Sequence, residues 1–277
     1  MVLHRIRLWI GLAVIICAAA VLPALGQAAN EGNDFTEQQK IDFLTKAKVI
    51  HNTHTAKGVT EPYRLTLSDG TVTHDGDFQP VHEDKAQMTF ANGQTEFNFK
   101  DYWEFNIAGY QLAKLLGMDN MIPVTVERSW NGMRGSLSWW VPDVAMDEGD
   151  RMQKHVDSPD PDAWNKQMYK IRVFDELVYD MDANLTNVLI TKDWKIWRVD
   201  FTRAFRTWKK LKNPENLVMC DKTLLEKMKA LNEDDLKNAT KKYLSGPQVK
   251  GVMARRDMIV DQFNKLVAEK GEASVLY

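Results

Sequence analysis

Apolar positions follow two rhythms along the chain. Between residues 55 and 99 they alternate with polar ones in short runs: 63–67, 71–73, 77–81, 87–90 and 95–99. Ser68-Asp69-Gly70 and Asn92-Gly93 punctuate these runs, which therefore read as strands of an antiparallel sheet. Elsewhere the spacing is helical. Thr36 with Gln39 three residues on is a capping signature for a helix over residues 36–48, with Ile41, Leu44 and Ala47 on one face. Asp101 is placed to cap a second helix, in which Phe105, Ala108, Leu112, Leu115 and Leu116 recur before Gly117. Strands are expected again at 122–126 and 135–141 around an Asn131-Gly132 turn. The charged stretch 146–161 reads as a connector, and beyond it helices are expected at 163–179, 224–231, 234–244 and 247–268. A strand-rich half containing one helix, followed by a helical half, is a two-lobed α+β layout.

Residues 1–26 stand apart. His4, Arg5 and Arg7 precede an uncharged apolar stretch, and Pro23-Ala24-Leu25-Gly26 supplies small residues for cleavage, which is the pattern of a secretory signal peptide. The alternative is an uncleaved anchor, but the stretch is shorter than the ~20 residues a bilayer span needs. The expected organisation is a signal peptide at 1–26, a linker and N-terminal helix at 27–54, a first lobe at 55–145 and a second at 146–277. The expected location is secreted or periplasmic, with no stable membrane insertion after cleavage. The net charge of −2 carries no basic excess that would point to nucleic acid. Cys17 lies in the leader, which leaves Cys220 alone beyond it and excludes an internal disulfide there. Asn184-Leu185-Thr186 and Asn238-Ala239-Thr240 are formal glycosylation sequons.

The candidate chemistry lies at residues 179–205. Asp182 is followed five residues later by Asn187, then by two apolar runs around a turn at Lys192-Asp193, then by Asp200. Strands flanking a short turn bring their outer ends together, so Asn187 and Asp200 are expected side by side with Asp182 just upstream. An amide and a carboxylate are oxygen ligands of the kind hard cations take, and Asp182 has the chemistry to accept or align an acceptor hydroxyl. This is the equipment of phosphoryl transfer. Taken singly, Asp182 and Asn187 are also ordinary turn residues.

The spacing Asp182-x4-Asn187, with Asp200-Phe201-Thr202 thirteen residues on, resembles the catalytic loop and metal-binding Asp-Phe-Gly of protein kinases. The surrounding residues resemble the atypical branch: the secreted Golgi casein kinase and four-jointed family, the HipA kinases and the phosphatidylinositol 3-/4-kinase-like bacterial proteins. Phe174-Asp175-x-Leu177 leads into the loop, and Asn106-Ile107-Ala108-Gly109-Tyr110 with Ile122-Pro123-x-x-Val126-x-Arg128 resembles that group's first lobe. The resemblance implies a protein-kinase-like fold, ATP or another nucleotide in the interlobe cleft, Mg²⁺ or Mn²⁺ on Asn187 and Asp200, Asp182 as catalytic base, and an unidentified hydroxyl acceptor. It also places Gln79, Asn106 and Trp140 at the nucleotide. Trp139-Trp140 falls where the first lobe passes into the second, as adenine contact or as core and rim packing. Gln79 occupies the position of the phosphate-holding Lys, and Asn106 that of the helix acid which pairs with it, so both ends of an ion pair are neutral amides. Ala183 stands where relatives often carry Arg, and Thr202 stands for the Gly beside the metal Asp. Lys57, Lys85, Arg203 and Arg206 are the candidate sources of positive charge, and the four histidines His51, His54, His74 and His82 read as surface. The expected function is an atypical secreted kinase, with a nucleotide- or partner-binding pseudokinase as the alternative; a structural envelope protein on another fold would not cluster the three polar residues.

Overall fold

The computed structural model describes residues 35–54 and 62–277; the signal peptide expected at 1–26 and Lys57 lie outside them. Its fold is α+β and two-lobed. Helix α1 (Glu37–Lys46) carries the expected box: the Thr36 side chain accepts from the Gln39 backbone and the Gln39 side chain from the Thr36 backbone. The first lobe is a five-stranded antiparallel sheet in the order β1-β2-β3-β7-β6, formed by β1 (Lys48–His54), β2 (Tyr63–Ser68), β3 (Thr73–Gln79), β6 (Thr125–Trp130) and β7 (Met133–Trp139). Strands β4 (His82–Thr89) and β5 (Thr95–Tyr102) form a separate two-stranded ribbon. Helix α2 (Glu104–Leu116) packs on β6 and β7 and reaches the second lobe. It ends at Gly117, whose φ of 68° lies in the left-handed region that glycine adopts without strain.

The second lobe begins with β8 (Val144–Asp147) and α3 (Glu148–Gln153), continues through α4 (Pro161–Val178), the hairpin β9 (Val188–Thr191) and β10 (Ile196–Arg198), and closes with α5 (Lys222–Ala230), α6 (Glu233–Thr240) and α7 (Gly246–Lys270). Asp160 caps α4 by accepting from the Ala163 amide at 2.9 Å, with Pro161 at the first helical position. No helix among the described residues is long and apolar enough to cross a membrane.

Several expectations need correction. Residues 48–54, read as helix end and linker, form the edge strand β1; its side chains are largely exposed, so no alternation marked it. Asp101 lies within β5 and does not cap α2, whose N-cap is Trp103 with no side-chain bond. The connector at 146–161 is partly ordered: β8 pairs with β9, and Asp147 caps α3 by accepting from the Asp150 amide. Acids that read as loop composition are capping residues. His74 is buried rather than on the surface, stacked on Trp139 with ring centroids 3.8 Å apart.

Arg198 ties the second lobe together. Its side chain is fully buried, with Nε 3.0 Å from Asp175 on α4 and a terminal nitrogen on Asp180 in the loop beyond that helix. Removing one member of such a set leaves buried charges without partners, which costs about 3–5 kcal/mol. Arg198→Met is therefore expected to lose about 3–5 kcal/mol in denaturant unfolding; a change under 1 kcal/mol would contradict this assignment.

Candidate functional site

The hairpin register sets the site. Ile196 lies opposite Ile190, Trp197 opposite Leu189 and Arg198 opposite Val188, and the Val199 amide donates to the Asn187 carbonyl at 3.0 Å. Asn187 and Asp200 thus leave the two outer ends of one ladder, as the spacing predicted. A single 3-10 turn, Leu185–Asn187, delivers Asn187; Asn184 caps it by accepting from the amides of Thr186 (2.9 Å) and Asn187 (3.2 Å). The Asn187 side-chain nitrogen donates to the Asp182 carbonyl at 3.3 Å, which leaves its amide oxygen for a cation. The Asp182 amide donates to Asp180 at 2.9 Å, so the Arg198 cluster that anchors the lobe also positions the loop carrying Asp182.

Asp200 has a φ of 61°, a left-handed conformation that Asp tolerates better than most residues. Thr202, which stands in the place of a glycine, supports this turn: its hydroxyl and amide donate to Asp200 Oδ1 at 2.9 and 3.3 Å. Burial pushes the Asp200 carboxyl above its usual range, with Thr202 opposing the shift and Asp180 adding to it.

The roof of the site is an amide network. Asn106 on α2 donates to Gln79 Oε1 at 3.1 Å and to Ser136 Oγ at 3.0 Å, and its Oδ1 accepts from the Phe201 amide at 2.7 Å. Gln79 in turn donates to Asp77 Oδ2 at 3.0 Å. The two amides anticipated at these positions are thus partners of one another. Gly109, one turn along α2, makes the approach of Phe201 feasible, since a Cβ there would lie 2.9 Å from the Phe201 ring.

Two cavities meet at this point. One of about 410 Å³ lies between the lobes and is lined by Asp77, Gln79, Asn106, Trp140, Met146 and Leu189 among others. The second, about 650 Å³, lies under the β4–β5 ribbon and holds Asp182, Asp101, Lys85 and Arg203. Asn187 and Asp200 line both. Such volumes suit small ligands. The tryptophan pair divides its duties: Trp139 is buried against Phe43 and His74, whereas Trp140 walls the interlobe cavity with the Arg64 guanidinium 4.3 Å from its ring centroid.

Of the candidate cations, Arg203 and Arg206 are paired with Glu96, and Lys85 with Glu83 at 2.5 Å. Asp101 is 6% exposed and its Oδ1 has no hydrogen-bond partner among the described residues; burial pushes its carboxyl up to about 6. Among the described residues no group of three His, Cys, Asp or Glu side chains is arranged to hold a metal. Any cation here depends on a mixed set that includes the Asn187 amide.

Sequence reasoning missed Asp77, Asp101, Asp180 and Arg198. Asp77 was within reach, since it lies two residues before Gln79 and shares its strand face. Arg198 was visible as a charge inside an apolar strand, which demands a buried partner.

No family model matches the sequence, and no curated protein matches it. Solved structures do match. A hydra Fam20 structure with sugar shares a TM-score of 0.64 at 13% identity, covering 87% of this chain and 91% of that one. The Golgi casein kinase gives 0.60 at 12% identity, and its Mn/ADP-bound form 0.59 at 11%, each covering 87% of this chain and 78% of the other. These likenesses concern the fold: the chain has an atypical kinase-like architecture.

Asp77 offers a direct check on the electrostatics of the cavity. Burial, reinforced by repulsion from Asp200, pushes its carboxyl from 3.8 up to about 7. The native state therefore holds this proton more tightly than the unfolded chain, and stability falls as pH rises through that window. Asp77→Asn is expected to stabilise the protein at pH 8 in EDTA by about 1–3 kcal/mol, with the difference shrinking toward pH 4. Equal or lower stability of the variant at pH 8 in thermal unfolding would contradict the assignment.

Proposed function

We propose that this protein is a secreted, atypical kinase-like phosphotransferase that takes a nucleotide in the interlobe cavity and a hydroxyl acceptor in the cavity under the ribbon. The observation that carries this reading is the meeting of the two cavities at Asn187 and Asp200, with Asp182 on the acceptor side. Phosphoryl transfer requires donor and acceptor to approach from opposite sides of one charged centre, and this arrangement provides both approaches. The donor set fits a hard divalent cation, Mg²⁺ or Mn²⁺: an amide oxygen from Asn187 and a carboxylate from Asp200, both lining the same two cavities. Asn187 and Asp200 would hold the cation, which when bound neutralises nucleotide phosphates. Asp182 aligns the acceptor hydroxyl and takes up its proton. Trp140 forms the wall against which a base stacks. The Mn/ADP-bound Golgi casein kinase and the sugar-bound hydra Fam20 structure support a nucleotide and a hydroxyl-bearing acceptor. The leader at residues 1–26 supports export.

One observation favours a second reading, nucleotide binding without transfer. Gln79 and Asn106 satisfy each other's hydrogen bonds and bring no charge to the phosphates, and Arg198, the basic residue lining the interlobe cavity, is engaged by Asp175 and Asp180.

The test is ATP and ADP binding by calorimetry with and without divalent cation, together with ATP turnover. Binding is expected only with Mg²⁺ or Mn²⁺ and is lost in Asp200→Ala. Asp182→Asn keeps the binding and lowers turnover by about 10²-fold or more. Cation-dependent binding without turnover, with turnover gained in Gln79→Lys/Asn106→Glu, would select the second reading. Absence of nucleotide binding would end both.

A further inference from the structure

Gln79 and Asn106 leave α2 without an acid facing the cation, yet the network they form ends on a carboxylate. The Phe201 amide, next to Asp200, donates to Asn106; Asn106 donates to Gln79; Gln79 donates to Asp77. Three consecutive hydrogen bonds thus fix Asp77 relative to Asp200, starting from backbone and passing through buried side chains. Residues 77 and 79 share one face of β3, and both line the interlobe cavity with Asn187 and Asp200.

Charge bookkeeping within that cavity points the same way. Its acids are Asp77, Asp147, Asp150 and Asp200, and its basic lining residue is Arg198. Asp147 caps α3, Asp150 pairs with Lys154 at 3.2 Å, and Arg198 is engaged by Asp175 and Asp180. Asp77 and Asp200 form no salt bridge among the described residues, and both line this one cavity. Two carboxylates lining one cavity are stable together when a positive charge lies between them.

Resting on the cation site put forward above, we propose that Asp77 is a third protein ligand of that divalent cation, its carboxylate on β3 supplying from the sheet what α2 lacks at Asn106. The amide pair then has a role of its own, as the support that orients this ligand. Metal ligands are commonly held in this way by hydrogen-bonded neighbours. A cation held by two carboxylates and an amide binds before nucleotide, with the protein alone as its cage.

The test is Mn²⁺ titration of the protein without nucleotide, following the free-ion signal by electron paramagnetic resonance. The unaltered protein is expected to bind Mn²⁺, and Asp77→Asn and Asp77→Ser are each expected to weaken it about tenfold or more. Thermal unfolding in EDTA accompanies each variant, and since Asp77→Asn is expected to be more stable, weaker binding there cannot arise from unfolding. If Asp200→Asn abolishes binding while both Asp77 variants match the unaltered protein, the role of Asp77 is overturned and the site on Asn187 and Asp200 stands. If the unaltered protein binds no Mn²⁺ without nucleotide, the proposal is overturned as well; calorimetry with Mn²⁺ and ADP together then reports separately on the nucleotide site.

Discussion

Arg198 is a cation with no access to water, held between Asp175 at the end of α4 and Asp180 in the loop that follows it. It also donates to the Asp200 carbonyl at 3.2 Å, and its own amide bonds to the Met121 carbonyl of the first lobe at 2.8 Å. The helix, the loop carrying Asp182 and the hairpin end carrying Asp200 therefore share one guanidinium, whose planar, always-charged fork suits such multiple engagement, while the backbone of the same residue ties in the lobe junction. A buried ion cluster contributes little net stability against a well-packed apolar alternative. Here it fixes where Asp182 and Asp200 sit, and the geometry of the candidate site follows from it.

Above this floor the first lobe contributes a roof of neutral amides. A lysine and an acid at the positions of Gln79 and Asn106 would form a charged pair; two amides hydrogen-bond equally well and leave no charge unpaired, so the fold tolerates the exchange. The consequence is electrostatic. The interlobe cavity has an acidic lining, with its arginine committed elsewhere, and a polyphosphate approaches it favourably only in company with cations. On the proposed reading, divalent ions are thus more central to this site than in one where a lysine shares the phosphate charge.

The local geometry of the candidate site was easier to read from the sequence than its setting. The Asp182–Asn187–Asp200 spacing encodes a loop, a tight hairpin and an exit, and local turn geometry alone brings Asn187 and Asp200 together. The capping box of α1 and the turn at Asn131-Gly132, whose two residues have positive φ, were legible for the same reason. What escaped depends on contacts distant in sequence. Asp77 joins Asp200 in lining one cavity across more than a hundred residues of sequence, and Arg198 finds Asp175 only once α4 has packed on the hairpin. The exposed β1 carries no alternation, and the acids of α3 read as loop because capping and loop composition use the same residues. Thr202 was read as the loss of a glycine, but the positive φ belongs to Asp200 and the Thr202 hydroxyl sustains it.

The central claim is that Asn187 and Asp200 hold a cation at the point where a nucleotide's phosphates arrive. Electron-nuclear double resonance on the protein with Mn²⁺ and ADP measures this contact directly, because phosphorus bound through oxygen to the metal gives a resolved ³¹P hyperfine coupling. The account predicts that coupling in the unaltered protein and its disappearance in Asp200→Ala. A protein-bound Mn²⁺ with no ³¹P coupling, or a coupling unchanged in Asp200→Ala, would contradict it.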